Sequence, residues 1–297
     1  MKPKVLSASV TPFHADGAID CPSMRRIVRR AIRQGLDGIF VAGSMGEWFT
    51  YSLDEREQLI RAAQEEAGQE LAILAGIHAS TAAESIAFAK RLADCPAAAF
   101  VLVLPEKAKC PEPLRYLAEV AAAVDRPLYY YHCPARNAIN FTVSEFAEIL
   151  RLPNVVGIKN SASNMRVRKE LLLLKETRPF TLLEGNEWAV DEAILVGCDG
   201  VLCGSGALCG RMLRGIADAA AEGQVAEAIK RQRDLIRFFH AIYGPDVTTA
   251  WTGEKYALWR LGVIDDPLAK AQKMEVLTEA RRREIDQALD THREALL

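Results

Sequence analysis

Eight short apolar runs, separated by amphipathic stretches, restrict this chain to an α/β architecture. The runs cover residues 5–10, 38–42, 71–77, 99–104, 127–132, 155–159, 180–183 and 200–203. They are apolar without strict alternation, the pattern of strands buried on both faces of a parallel sheet. The intervening stretches read as helices. Ile27, Val28, Ala31 and Ile32 share one face behind the start signals Asp20, Pro22 and Ser23. Leu59, Ile60 and Ala63 share another, behind Leu53-Asp54, and further helices are predicted after Thr81, Pro113, Thr142, Asn164, Asn186 and Leu208. Eight such alternations predict a closed (β/α)8 TIM barrel wrapped in helices. An open doubly wound sheet is less favoured, because no G-x-G-x-x-G follows the first run and no P-loop occurs.

Helical patterning continues past the eighth unit, over residues 224–242, 250–261 and 276–289, with pauses at Gly244-Pro245 and Asp265-Asp266-Pro267. No low-complexity linker divides the chain. The expected organisation is a barrel over residues 1–222 and a C-terminal helical extension over 223–297, packed on it as one structural unit.

Composition removes several function classes. Lys and Arg (37) nearly balance Asp and Glu (39) with no basic stripe, which argues against nucleic acid as a partner. No apolar run approaches the roughly 20 residues of a spanning helix, so no membrane role is expected. Met1-Lys2-Pro3-Lys4 leads into the first strand without a signal-peptide pattern. The seven cysteines are odd in number and contain no C-x-x-C pair. They read as free thiols in a reducing compartment, with the cytoplasm as the expected location.

In a barrel of this kind reactive groups sit at the carboxyl ends of the strands. Lys159 ends the run Val155-Val156-Gly157-Ile158 and precedes the polar stretch Asn160-Ser161-Ala162-Ser163-Asn164. Desolvation there disfavours the ammonium and yields a neutral amine able to attack a ketone. A lysine that merely reaches back to water is the competing reading. The second strand ends in Gly43-Ser44-Met45-Gly46-Glu47, where glycines let backbone N–H groups approach an anion and Ser44 adds a hydroxyl. The fifth ends in Tyr129-Tyr130-Tyr131-His132-Cys133-Pro134-Ala135-Arg136. Alternation puts Tyr129 and Tyr131 on one face and Tyr130 and His132 on the other. A phenol at the mouth can relay a proton, and Arg136 could grip a carboxylate through its planar fork.

Together these segments closely resemble the signatures of the dihydrodipicolinate synthase/N-acetylneuraminate lyase family. Gly43-Ser44-Met45-Gly46-Glu47, Tyr131-His132-Cys133-Pro134-Ala135-Arg136 and Gly157-Ile158-Lys159 fall in order on the expected strands, with Thr11-Pro12-Phe13 and Asp199-Gly200 also matching. The resemblance covers essentially the whole chain. It implies a (β/α)8 barrel, usually a homotetramer, acting without metal or added cofactor on a small 2-oxo acid. Lys159 would be the imine-forming amine, Tyr131 the proton relay, and Ser44 with the Met45 amide the binder of the pyruvate carboxylate. A protonated imine draws electrons from the adjacent carbon, so a carbon–carbon bond two atoms away can break or form through an enamine.

Departures from the family pattern narrow the activity. Where dihydrodipicolinate synthases carry a tyrosine pair after the fourth strand, this chain has Pro105-Glu106-Lys107-Ala108-Lys109. Met45 replaces the usual second threonine of the carboxylate-binding turn. Where sialic acid lyases carry an Asp-Glu pair, Gly185-Asn186-Glu187-Trp188 stands here. The expected pocket is rimmed by Lys107, Arg136, His78 and Glu187, with Ser161 among the substrate-binding residues and Trp48 either on the rim or in packing or a subunit contact. A basic rim suits an acidic substrate, such as a 2-oxo-3-deoxy sugar acid or a hydroxy-oxo acid. The reading is a Schiff-base 2-oxo acid lyase. Its alternatives are a dehydratase or deaminase on the same scaffold, dihydrodipicolinate synthase itself, and a non-catalytic ligand-binding barrel. A metal-dependent aldolase is disfavoured because no His/Asp/Glu cluster has ligand spacing.

Overall fold

A computed structural model describes residues 2–296. Eight parallel strands close on themselves in sequence order. They are β1 (Lys4–Ala8), β2 (Gly38–Val41), β3 (Ala72–Gly76), β4 (Ala99–Val103), β5 (Leu128–His132), β6 (Val155–Asn160), β7 (Thr181–Glu184) and β8 (Gly200–Cys203). Each overlaps one of the expected apolar runs, and β8 closes the barrel by pairing with β1 in the register Lys4↔Gly200 to Ser7↔Cys203. The helices around them are α1 (Cys21–Arg33), α2 (Leu53–Ala67), α3 (Ala82–Arg91), α4 (Pro113–Ala123), α5 (Pro134–Asn137), α6 (Val143–Ile149), α7 (Met165–Thr177), α8 (Val190–Leu195) and α9 (Gly206–Ala221). The fold is the (β/α)8 barrel that the alternation predicts.

Local sequence explains where the helices begin. Ser52/Glu55, Thr81/Glu84 and Thr142/Glu145 form reciprocal capping boxes that start α2, α3 and α6. Asp20 caps α1, with Pro22 in its first turn. Sequence pattern placed the last barrel helix after Leu208, whereas α9 starts at Gly206 and is interrupted by non-helical Cys209. That residue's thiol donates back to the Ser205 carbonyl at 3.3 Å.

The core has two layers, as a barrel demands. Leu6, Phe40, Leu74, Val101, Val103, Tyr129, Tyr131, Leu183 and Leu202 fill the interior. The alternate side chains, Tyr130 and Ile158 among them, pack outward under the helices. The pleat therefore decides which of three successive tyrosines faces the barrel axis.

Beyond α9 the chain forms α10 (Val225–Tyr243), α11 (Ala250–Arg260), α12 (Glu279–Thr291) and α13 (Arg293–Leu296). α10 packs along α8 and α9, α11 and α12 cover α10, and α13 returns to α9. Buried Arg30 of α1 ties this end to the barrel, donating to the carbonyls of Ala207 (3.1 Å), Leu208 (2.8 Å) and Leu296 (2.6 Å). No helix among the described residues is long and apolar enough to cross a membrane.

Candidate active site

Lys159 lies near the carboxyl end of β6 with 4 % of its surface exposed. Strand register sets Tyr131 of β5 directly beside it and Leu183 of β7 on its other flank. Its Nζ stands 4.0 Å from the centroid of the Tyr131 ring and 5.3 Å from that of Phe40. Burial lowers its pKa to about 8, against the opposing pull of Cys133 and Glu187. A neutral amine is thus accessible near physiological pH. Burial also raises the Tyr131 hydroxyl above the usual phenol range, so it stays a proton carrier.

The turn after β2 is strained and pinned. Ala42 (φ 60) and Glu47 (φ 53) occupy the left-handed region without being glycine, a conformation that costs about 1–3 kcal/mol each and persists where surroundings enforce it. Enforcement comes from Thr11 and Tyr51, whose hydroxyls donate to the Gly46 carbonyl at 2.7 and 3.0 Å. Trp251 of α11 donates through Nε1 to the Ser44 carbonyl at 3.1 Å. The Ser44 hydroxyl is buried beside that of Tyr131 and opposes the rise in the Tyr131 pKa.

Ser161 follows β6 and donates to the Gly185 carbonyl at 3.4 Å. A side chain at position 185 would crowd the lysine, because a Cβ there would fall 2.1 Å from the Ser161 hydroxyl and 3.0 Å from Lys159 Cε. Gly204 is similarly constrained, with Met45 Cγ 2.8 Å from where its Cβ would stand. Glu187 sits in a 3₁₀ turn (Glu187–Ala189) capped by Asn186, and its Oε1 accepts from the Ser205 backbone at 3.1 Å. Gln232 of α10 anchors that turn, donating to the Glu187 carbonyl at 2.8 Å.

These groups meet in one cavity of about 210 Å³. Its inner wall carries Lys159, Tyr131, Ser44, Met45, Ser161 and Glu187. The extension supplies Phe239, Tyr243, Val247 and Ala250, which join Trp188, Gly204 and Ser205 in the lining. A larger groove of about 340 Å³, among Arg211, Arg231, Asp234 and His292, lies outside the barrel mouth and has no lysine in its lining.

Three of the expected rim residues lie outside this lining. Lys107 is exposed on a 3₁₀ turn (Lys107–Lys109) after β4. Arg136, half-buried in α5, lays its guanidinium over Phe49 at 4.4 Å and Trp48 at 5.6 Å. His78 is fully buried, its ring 4.4 Å from that of Trp48. Burial, with Arg56 and Arg136 nearby, pushes it well below the usual imidazole range. Strand order places all three near the barrel mouth but does not say whether each side chain turns toward the axis. Trp48 packs within this cluster.

The extension's contribution went unread in the sequence. Its one signal was aromatic density near the end of α10, at Phe238-Phe239 and Tyr243, just before the Gly244-Pro245 pause. No group of three His, Cys, Asp or Glu that could hold a metal occurs among the described residues.

The chain is similar to several known proteins. A curated 4-hydroxy-tetrahydrodipicolinate synthase of Thiobacillus denitrificans is 32% identical over 225 residues, covering 75% of this chain and 76% of that protein. The crystal structure of a chloride-inhibited dihydrodipicolinate synthase from Acinetobacter baumannii, complexed with pyruvate, superposes with a TM-score of 0.88 at 24% identity over 98% of each chain. That of CdNal from Clostridium difficile, in complex with mannosamine, gives 0.89 at 22% identity over 98% of this chain and 99% of that one. These two likenesses speak for the fold. The family model described as the dihydrodipicolinate synthetase family matches residues 1–291, so this chain is a member of that enzyme family.

Proposed function

We propose that this chain is a Schiff-base-forming 2-oxo acid lyase that breaks or makes a carbon–carbon bond to pyruvate. The observation that carries the reading is the pairing of Lys159, with its pKa lowered to about 8, and Tyr131 on the adjacent strand. The neutral amine attacks the 2-oxo carbon, and the carbinolamine loses water to give an iminium. In cleavage, the proton of the 4-hydroxyl passes to the Tyr131 oxygen as the phenol's own proton moves on to the Ser44 hydroxyl beside it. The C3–C4 bond breaks and its electrons pass to the nitrogen, leaving an enamine and a free aldehyde. Protonation at C3 and hydrolysis return pyruvate and the amine. The Ser44 hydroxyl and the Met45 amide bind the carboxylate of the 2-oxo acid.

Incubation with pyruvate and borohydride tests this directly. A reduced pyruvyl adduct on the Lys159 peptide is expected, and an adduct elsewhere or none at all rejects the imine. The same iminium could expel a hydroxyl or amine in place of an aldehyde. Turnover that releases neither pyruvate nor aldehyde would favour that dehydratase or deaminase route.

The names of the curated relatives favour a second reading, condensation of pyruvate with aspartate semialdehyde. Arg136 stands where the family grips that substrate's carboxylate, but its guanidinium covers Trp48 and Phe49 outside the cavity lining. An assay with both substrates separates the readings. A homotetramer and a cytoplasmic location are proposed with the lyase. Light scattering checks the first, and fractionation of the source cells checks the second.

A further inference from the structure

We infer that the outer half of the cavity holds an apolar, aromatic substituent, so that the physiological substrate is an aryl-bearing 4-hydroxy-2-oxo acid or the aldehyde that forms it. This inference rests on the Schiff-base reading and adds the substrate class. The supporting feature is an aromatic wall built by segments outside the barrel strands. Trp188 meets Phe239 edge-on at 4.5 Å, and Phe239 stacks on Tyr243 at 4.2 Å with 21° between the rings. Val247 and Ala250 continue the same lining. Val247 is a β-branched residue at φ 58, a backbone state that surrounding contacts must enforce. The strain sits at a residue of the cavity lining.

The polar inventory of this outer half is short. Tyr243 spends its hydroxyl proton on Glu254 at 2.8 Å. Glu187 has one oxygen occupied by the Ser205 backbone. The Ser205 hydroxyl is buried without a partner among the described residues. One carboxylate oxygen and one hydroxyl satisfy about one hydroxyl of a ligand. A polyhydroxylated tail would leave several hydroxyls unpaired against rings, which is costly. A second carboxylate fits no better. Lys159 is the one cation in the lining, its iminium charge lies at the reacting centre beside the pyruvate carboxylate, and Glu187 repels another negative charge. An aryl ring can lie against the Trp188 and Phe239 rings without leaving a polar group of its own unpaired.

The test runs in the condensation direction. The enamine carbon of Lys159-bound pyruvate attacks the aldehyde carbon, the aldehyde oxygen takes a proton from Tyr131, and water hydrolyses the imine to release the 4-hydroxy-2-oxo acid. Pyruvate consumption is followed with benzaldehyde, glyceraldehyde or succinic semialdehyde as acceptor, with borohydride trapping of pyruvate run in parallel. Benzaldehyde is expected to give a kcat/KM at least about tenfold above either other acceptor. Trp188→Ala should then lower the benzaldehyde value about tenfold, chiefly through KM. Equal or better use of glyceraldehyde or succinic semialdehyde by the wild-type enzyme overturns the inference while trapping at Lys159 still succeeds. Failure of trapping removes the Schiff-base reading and this inference with it.

Discussion

Lys255 and Glu47 form an ion pair in which neither side chain has exposed surface. The Lys255 ammonium also donates to the Leu268 carbonyl at 2.7 Å and lies 4.2 Å from the Phe13 ring centroid, and the second Glu47 oxygen accepts from the Ala271 backbone at 2.6 Å. The pair joins the turn after β2, which carries Ser44 and Met45, to α11 and the segment beyond it. Burial lowers Lys255 to about 8, with Glu47 opposing that shift. The extension therefore holds one wall of the cavity in place and forms another.

Removing one partner of such a pair strands a buried charge. Lys255→Met should cost about 3–5 kcal/mol in urea unfolding, and the loosened turn should raise the KM for pyruvate. Adding Glu47→Leu removes the stranded carboxylate and should recover much of the stability without restoring KM. A single variant within about 0.5 kcal/mol of the wild type would mean that the pair carries little of the turn's stability.

Lys159 yields a pH prediction with a definite sign. Its amine must be neutral to attack, so the rate of imine formation should rise with pH and level off above an inflexion near 8, the value to which burial lowers it. Stability runs through the same group. Between about 8 and the unfolded value of 10.5 the unfolded chain holds the proton and the native state does not, so this lysine's penalty shrinks as pH rises. Lys159→Met should abolish trapping. It should also stabilise the protein at pH 7 by an amount on the order of 1–3 kcal/mol, with the gain diminishing toward pH 10. A flat pH–rate profile between 6 and 9 would contradict this account.

The parts of the site that strand order dictates were legible in the sequence. Lys159 and Tyr131 lie at the ends of buried apolar runs, Ser44 follows one in the turn after β2, and alternation in β5 separates Tyr131 from Tyr130. What strand order cannot convey is the direction of a side chain once the pleat has ended. His78 lies two residues beyond the end of β3 at Gly76, and its ring packs on Trp48. Arg136 sits in a four-residue helix with its guanidinium over two aromatic rings. The outer wall was illegible for another reason. Helical periodicity shows that one face of α10 is apolar, but not that Phe239 and Tyr243 cover the barrel mouth while Phe238 packs in the core beneath.

Tyr131 should separate proton transfer from imine formation. Tyr131→Phe keeps the ring 4.0 Å from Nζ and removes only the hydroxyl. Turnover is expected to fall about 100-fold or more, while borohydride still captures pyruvate on Lys159 at a reduced rate. Steady-state turnover and single-turnover trapping on the same preparation check the split. Equal losses in both would move the phenol's role to carbinolamine dehydration, and no loss in either would remove it from the reaction.

Gly185→Ala tests how closely the lysine is held. The new methyl would fall 2.1 Å from the Ser161 hydroxyl, 3.0 Å from Lys159 Cε and 3.2 Å from the Asn160 carbonyl. Ser161 can rotate away at the expense of its bond to the Gly185 carbonyl, whereas Lys159 can yield only by moving toward Tyr131 and Phe40. Overpacking of this kind costs about 1–3 kcal/mol of stability, visible in urea unfolding. The amine's displacement should slow pyruvate trapping about 100-fold, the scale of a 1 Å error in a reacting group. Adding Ser161→Ala removes the closest clash, so stability should largely return. Trapping should remain slow, because the contact with Lys159 Cε persists. If trapping recovers together with stability, the glycine serves the Ser161 loop alone, and the lysine's position is set by β5 and β7.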